Sequence, residues 1–277
     1  MSEIDPNTFM GAVRLAVSDL RRAAEFYEER LGLRPLQRSQ SSAFFGAGAR
    51  QLLILDERAG SRPAAGATGL FHFALLLPTR RDLGLALKHL VETRTPLQGF
   101  ADHRVSEAIY LADPDGNGIE LYSDRPRRKW TFEGSEVVMT TDPLDTESLL
   151  AEAAGGEWTG ISEATKMGHI HLKVRDVVEA ERFYRELLGF NLMARYGRQA
   201  AFVSAGGYHH HLAFNTWQSL GAPPPPDDAT GLVRFSIVTK DADSIAARLR
   251  EAGIAVEERE EGYFARDPSR NGFVFVS

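Results

Sequence analysis

Residues 11–38 read GAVRLAVSDLRRAAEFYEERLGLRPLQR, and residues 168–195 read GHIHLKVRDVVEAERFYRELLGFNLMAR. Laid over each other at an offset of 157 without a gap, Gly11, Leu15, Val17, Asp19, Ala23, Phe26, Tyr27, Glu29, Leu31, Gly32 and Arg38 all meet an identical residue. A weaker second pair follows: GLFHF at 69–73 against GLVRF at 231–235, and DPDGNG at 113–118 against DPSRNG at 267–272. Such self-similarity is to be read before any single element. It divides the chain into four modules, 9–58, 69–124, 168–217 and 231–277. Each opens with alternating apolar residues (Val13, Leu15, Val17; Ile170, Leu172, Val174), the period of a half-buried strand. Asp19 or Asp176 then stands as a helix cap, apolar residues recur at helical spacing, and Gly32 or Gly189 closes the helix. Further short strands and an Asp-Pro turn complete the unit. The expected class is α+β: four βαβββ modules building two cupped, funnel-like antiparallel sheets. The expected division is 9–124 and 168–277, joined by a linker at 125–167, long enough to let the second module pair with the third.

Composition narrows the function. The chain has 277 residues, an ordinary globular balance of 43% hydrophobic and 25% charged, and no cysteine. A disulfide scaffold, a thiolate metal site and thiol catalysis are excluded. A net charge of −6 gives no basic face for nucleic acid. No apolar run approaches the ~18 residues of a membrane span. The opening MSEIDPNTFMG lacks a basic flank and an apolar core, so no secretory signal is expected there and the expected location is cytoplasmic.

Alternation along the strands selects the chemistry. In GHIHLKV the apolar Ile170, Leu172 and Val174 turn outward, leaving His169, His171 and Lys173 inside the cup. In LFHFALL the inward residues are His72 and Ala74; in NGIELYS they are Glu120 and Tyr122. Two histidines and a glutamate on one face, with open positions beside them, suit Fe(II), Mn(II) or Zn(II). At the equivalent positions of the other two modules stand Ala12, Arg234 and Val274. The donor set is thus whole in modules two and three and absent from one and four. The alternative, hydrogen-bonded strand residues, leaves that asymmetry unexplained.

These stretches (HIHLKVRDVVEAERFYRELLGF, GLFHFALLLPTRRDL and YLADPDGNGIELY) resemble the vicinal oxygen chelate superfamily, which includes glyoxalase I, fosfomycin and bleomycin resistance proteins, and type I extradiol dioxygenases. GYHHHLAFNTW together with DHRVSEAIYLADPDGNGIELY is similar to its catechol-2,3-dioxygenase-like branch. The resemblance implies metal ligands at His72, Glu120 and His169. Because module four carries Arg234 and Val274, it also implies a site made either by modules two and three of one chain or across two chains of a homo-oligomer. It implies an extradiol ring-cleaving dioxygenase of aromatic catabolism, with Fe(II) or Mn(II), a catechol-type diol and O2. A glyoxalase-type isomerase with Zn(II) or Ni(II), or a protein that only binds an aromatic metabolite, are the alternatives. Matching Leu212-Ala213-Phe214 to the family places the catalytic base at His210. Strand alternation favours an inward His211, where glyoxalases hold a fourth ligand, and both stay open. Tyr110 matches a tyrosine that touches substrate or activated oxygen, and could equally fill the sheet. His103 resembles a pocket position or is a solvated loop residue. His171 faces inward beside His169, a candidate substrate contact without a family metal role.

Overall fold

The capping aspartates act as the repeat requires. The Asp19 side chain accepts from Arg22 N at 2.8 Å, and Asp176 accepts from Val178 N and Glu179 N at 2.7 and 3.0 Å. In the computed structural model, which describes residues 3–277, module one runs β1 (Phe9–Val17), α1 (Leu20–Glu25), β2 (Arg34–Arg38), β3 (Ser42–Ala47) and β4 (Arg50–Glu57). Module two is β5 (Gly69–Leu76), α2 (Arg80–Glu92), β6 (Leu97–Asp102), β7 (Ser106–Ala112) and β8 (Gly118–Asp124). The intervening stretch holds a small hairpin, β9 (Phe132–Glu133) and β10 (Glu136–Val137), and α3 (Thr146–Glu152). Module three is β11 (Lys166–Lys173), α4 (Val177–Arg182), β12 (Asn191–Tyr196), β13 (Ala200–Ser204) and β14 (Leu212–Asn215). Module four is β15 (Gly231–Val238), α5 (Ala242–Glu251), β16 (Glu257–Arg259), β17 (Gly262–Arg266) and β18 (Gly272–Val276). In both copies of the repeat the helix ends in one π-helical turn, Phe26–Arg30 and Phe183–Leu187. Gly32 and Gly189 follow at φ 66° and 89°, the left-handed conformation that stops a helix without a Cβ penalty.

Two eight-stranded curled sheets result, ordered β16-β17-β18-β15-β1-β4-β3-β2 and β12-β13-β14-β11-β5-β8-β7-β6. Each sheet therefore joins modules from both halves of the chain: one with four, and two with three. The stretches 9–124 and 168–277 are halves of the sequence, but neither owns a sheet. The sheets are also mixed. The first and last strands of every module run parallel, as in β1 with β4 and β5 with β8, because a helical crossover followed by a three-strand meander returns the last strand in the first one's direction.

Side chains tie each half across the two sheets. Tyr27 of module one donates to Asp113 Oδ2 of module two at 2.8 Å, and Tyr184 donates to Asp267 Oδ2 at 3.1 Å. Both tyrosines are fully buried within one apolar core shared by the two sheets and their helices. Asn271 completes the Asp267 knot with N and Nδ2 donors at 2.8 and 2.9 Å. Burial outweighs these donors and raises the Asp267 pKa from 3.8 to about 6. The folded carboxyl therefore holds its proton where the unfolded one has lost it. Its stabilising contribution is complete below about pH 3.8 and disappears as pH rises through about 6. Asp267→Asn removes this term, so in urea denaturation of chelator-treated protein the stability of the variant relative to the wild type is expected to rise by roughly 3 kcal/mol between about pH 3.8 and 6.

The stretch 125–167 is no passive tether. The buried Leu149 of α3 packs against α2, where Gly84 permits the approach: a Cβ there would lie 2.4 Å from the Leu149 carbonyl oxygen. The same stretch passes over the cup of the second sheet, where Asp102 N donates to Asp142 O at 2.9 Å and brings residues 139–141 to its rim. Among the described residues, no helix is long and apolar enough to cross a membrane.

Candidate metal centre

β5 and β11 are antiparallel neighbours with His72 opposite His171 and Ala74 opposite His169, and β8 lies on the far side of β5 with Glu120 beside Ala74. This register converges three donors from one chain. His72 Nε2 lies 3.0 Å from Glu120 Oε2, His169 Nε2 lies 3.2 Å from the same oxygen, and the two nitrogens are 3.4 Å apart. All three residues are buried. Metal bonds of ~2.1 Å meeting at right or tetrahedral angles put neighbouring donor atoms ~3.0–3.4 Å apart. The observed spacings match. The protonation states match as well. Burial disfavours the charged form of Glu120, but His169 and His72 prevail and hold its carboxyl well below the usual range. Burial lowers His169 to about 4 against the pull of Glu120, so at neutral pH a carboxylate and a neutral imidazole already face the common point. Both Nε2 atoms lie within hydrogen-bond distance of one carboxylate oxygen, and a cation at their common point would engage all three donors.

The triad opens into a cavity of about 760 Å³, also lined by Phe71, Phe202 and Trp217. Tyr110, His103, His171 and His210 reach the same space. Tyr110 donates to His103 Nε2 at 2.6 Å, and His103 Nδ1 donates to Thr140 O at 2.6 Å, so the stretch between modules two and three fixes this pair. Burial and the nearby Glu120 raise the Tyr110 pKa well above 10, which keeps its hydroxyl protonated. His171 Nε2 accepts from Asn215 Nδ2 at 2.9 Å and stays outside the converging trio, with burial pushing its pKa well down.

The two histidines left open by the sequence separate clearly. His210 lines the cavity with its ring centroid 4.0 Å from that of His169. His211 is turned away: its Nδ1 accepts from Ala205 N at 3.2 Å and contacts Ser204 Oγ at 3.0 Å, and burial lowers it to about 3. Alternation misleads at His211 because β14 begins only at Leu212, so the histidines belong to the preceding loop. Sequence reading also passed over the support behind His210. His209 Nε2 donates to Asp124 Oδ1 at 2.9 Å, and His210 Nδ1 donates to His209 Nδ1 at 2.8 Å. Tyr208 donates to Asp124 Oδ2 at 2.9 Å and meets Tyr122 OH at 2.8 Å. Asp124 was within reach of the pattern, standing two residues beyond the inward Tyr122 on the same face of β8.

The fold and the triad define a cupped-sheet protein with a buried donor set that could hold a metal ion. The chain belongs to the Glyoxalase/Bleomycin resistance protein/Dioxygenase superfamily, whose family model matches residues 9–121 and 166–275. It is 42% identical to a catechol-2,3-dioxygenase of Bacillus subtilis (strain 168) over 282 aligned residues, covering 99% of each chain. A crystal structure of a Bacillus subtilis subsp. subtilis str. 168 protein aligns with a TM-score of 0.67 at 13% identity, covering 99% of this chain and 86% of that one. Glyoxalase I from Zea mays aligns with a TM-score of 0.60 at 16% identity, covering 98% and 92%. At those identities the two structures establish the shared fold alone.

Proposed function

We propose that this chain is a cytoplasmic extradiol dioxygenase that opens the ring of a catechol-type aromatic diol with O2. The observation that carries the reading is the His72–Glu120–His169 triad facing an aromatic-lined cavity with His210 beside it. Its likeness to the catechol-2,3-dioxygenase supports the same activity. Two imidazoles and a carboxylate suit Fe(II), and Mn(II) by the same donors. His72, Glu120 and His169 would hold such a metal, which would supply Lewis acidity toward the diol.

The protein's own groups do the rest. Phe71, Phe202 and Trp217 give the ring an apolar seat and exclude water. Burial and nearby histidines keep His210 neutral, so with Nδ1–H given to His209, its Nε2 is free to take a phenolic proton. Asp124 holds His209 in the tautomer that accepts from His210. Tyr110 keeps its proton and holds His103 at the rim. With His211 turned toward Ser204, the fourth-ligand arrangement that suits a glyoxalase-type isomerase lacks this candidate.

The test is anaerobic purification, elemental analysis, and addition of Fe(II), O2 and a catechol. Yellow ring-opened product with equimolar oxygen uptake supports the reading. Zinc or nickel with turnover but no oxygen uptake, or ligand binding indifferent to chelator without turnover, overturns it. Asp124→Asn, which keeps the shape but weakens the hold on His209, is expected to lower kcat roughly 10- to 100-fold at unchanged metal content. Steady-state kinetics with metal analysis of the same preparation checks it.

A further inference from the structure

The sheet of modules one and four curls like its neighbour and keeps a cavity of about 660 Å³ on its concave side, within the size range of small-molecule sites. The positions correspond one to one. Ala12, Arg234 and Val274 stand where the other cup has His169, His72 and Glu120. Arg14 stands at the place of His171, and its partner Asp56 at that of Asn215, so even the supporting pair is preserved in form. What has changed is the chemistry. The donors have gone, Ala12 and Val274 leave an apolar floor, and two arginines replace two histidines.

Those arginines are directly opposite each other on β1 and β15. Like charges so placed repel, and each needs its own anion. Arg14 has one in Asp56, with Nη2 2.8 Å from Oδ1 and Nε paired to the other carboxylate oxygen. Arg234, whose side chain is only 10% exposed, pairs with Glu261 at 2.5 Å. Glu261 lies outside the strands, in the turn between β16 and β17, and its own side chain is 42% exposed. A carboxylate brought in from the rim thus occupies the cationic seat in the cup. Arg50 and Lys166 add two more positive charges to the lining, against the chain's net −6.

We propose that this second cup binds an organic carboxylate with an apolar body, its carboxylate seated on Arg234 in place of Glu261 and its body on Ala12, Ile54 and Val274. The site is separate from the metal cup and independent of the reaction proposed there. A planar guanidinium favours a carboxylate by a two-point hydrogen bond, and the apolar floor rewards a ring or chain attached to it.

Calorimetric titration of the full-length, metal-loaded protein with 2-naphthoate tests this, with 2-naphthalenemethanol as the uncharged control. Saturable binding of one naphthoate per chain is expected, at least about tenfold tighter than the alcohol. Arg234→Gln should weaken it about tenfold or more, whereas Glu261→Gln, which removes the competing carboxylate, should tighten it several-fold. Glu120→Gln, in the other cup, should leave it unchanged. Val274→Phe fills the floor with both arginines intact and should abolish binding, which decides the matter if Arg234→Gln does not fold. No saturable binding at millimolar naphthoate, equal binding of the alcohol, or loss in Glu120→Gln but not in Val274→Phe would overturn the proposal.

Discussion

Glu120→Gln should strip the protein of metal and of ring cleavage together, while leaving it folded. Glu120 is the only carboxylate of the trio, and one of its oxygens serves both histidines, at 3.0 and 3.2 Å. The amide keeps the volume but offers the cation a neutral oxygen in place of a charged one. Unpairing a charge in a buried site typically costs ~3–5 kcal/mol, which corresponds to roughly a 10²- to 10⁴-fold loss of metal affinity. Without metal the ionised carboxylate is still held by its two histidines, so the apo variant should melt somewhat below the apo wild type at neutral pH. Elemental analysis after dialysis, oxygen uptake and thermal melts of both apo proteins check the three parts. A variant that retained stoichiometric metal and full turnover would remove Glu120 from the site.

His210→Ala separates chemistry from metal binding. His210 touches His169 through its ring face and donates Nδ1–H away from the cavity, so its loss takes no ligand from the trio. Removing a positioned general base costs typically 10²–10⁴-fold. The expected result is a kcat lower by that factor, with metal content kept and KM changed little. His211→Ala is the matched control, since its ring is engaged with Ala205 and Ser204 on the far side. It should loosen the loop while sparing turnover. Equal losses in the two variants would mean that the loop, rather than the His210 nitrogen, matters.

Much of this site was legible in the sequence because strand alternation is a strict rule and the chain states it twice. The repeat located the first strand of every module, and alternation then brought His169, His72 and Glu120 to one face. Comparing the copies showed which two modules had kept them. The limits were just as physical. Alternation holds only while the chain is a strand, so it failed at His211, one residue before β14 starts. Asp124 shared the inward face of Glu120 and Tyr122 but sat at the strand's end, where the alternation runs out. The role of residues 139–141 was invisible, because a loop reaches a rim through tertiary packing and leaves no periodic mark. The crossed pairing of the modules was permitted by the length of the intervening stretch but could not be deduced from it.

That crossing sets an order of assembly on the growing chain. The candidate metal cup and its lining need nothing beyond Gln218, so it can close while the last module is still being made. The neighbouring sheet is different: β1, among the first strands synthesised, finds its partner β15 only after residue 231, and β18 joins that partner at the very C-terminus. Until then module one waits with an unpaired edge, held to module two by the Tyr27–Asp113 bond. Domains generally fold in the order they emerge, and here the middle of the chain is expected to mature before its beginning. A polypeptide stalled or truncated after about residue 225 should therefore hold metal yet expose the edge of β1, making it a capable but sticky intermediate.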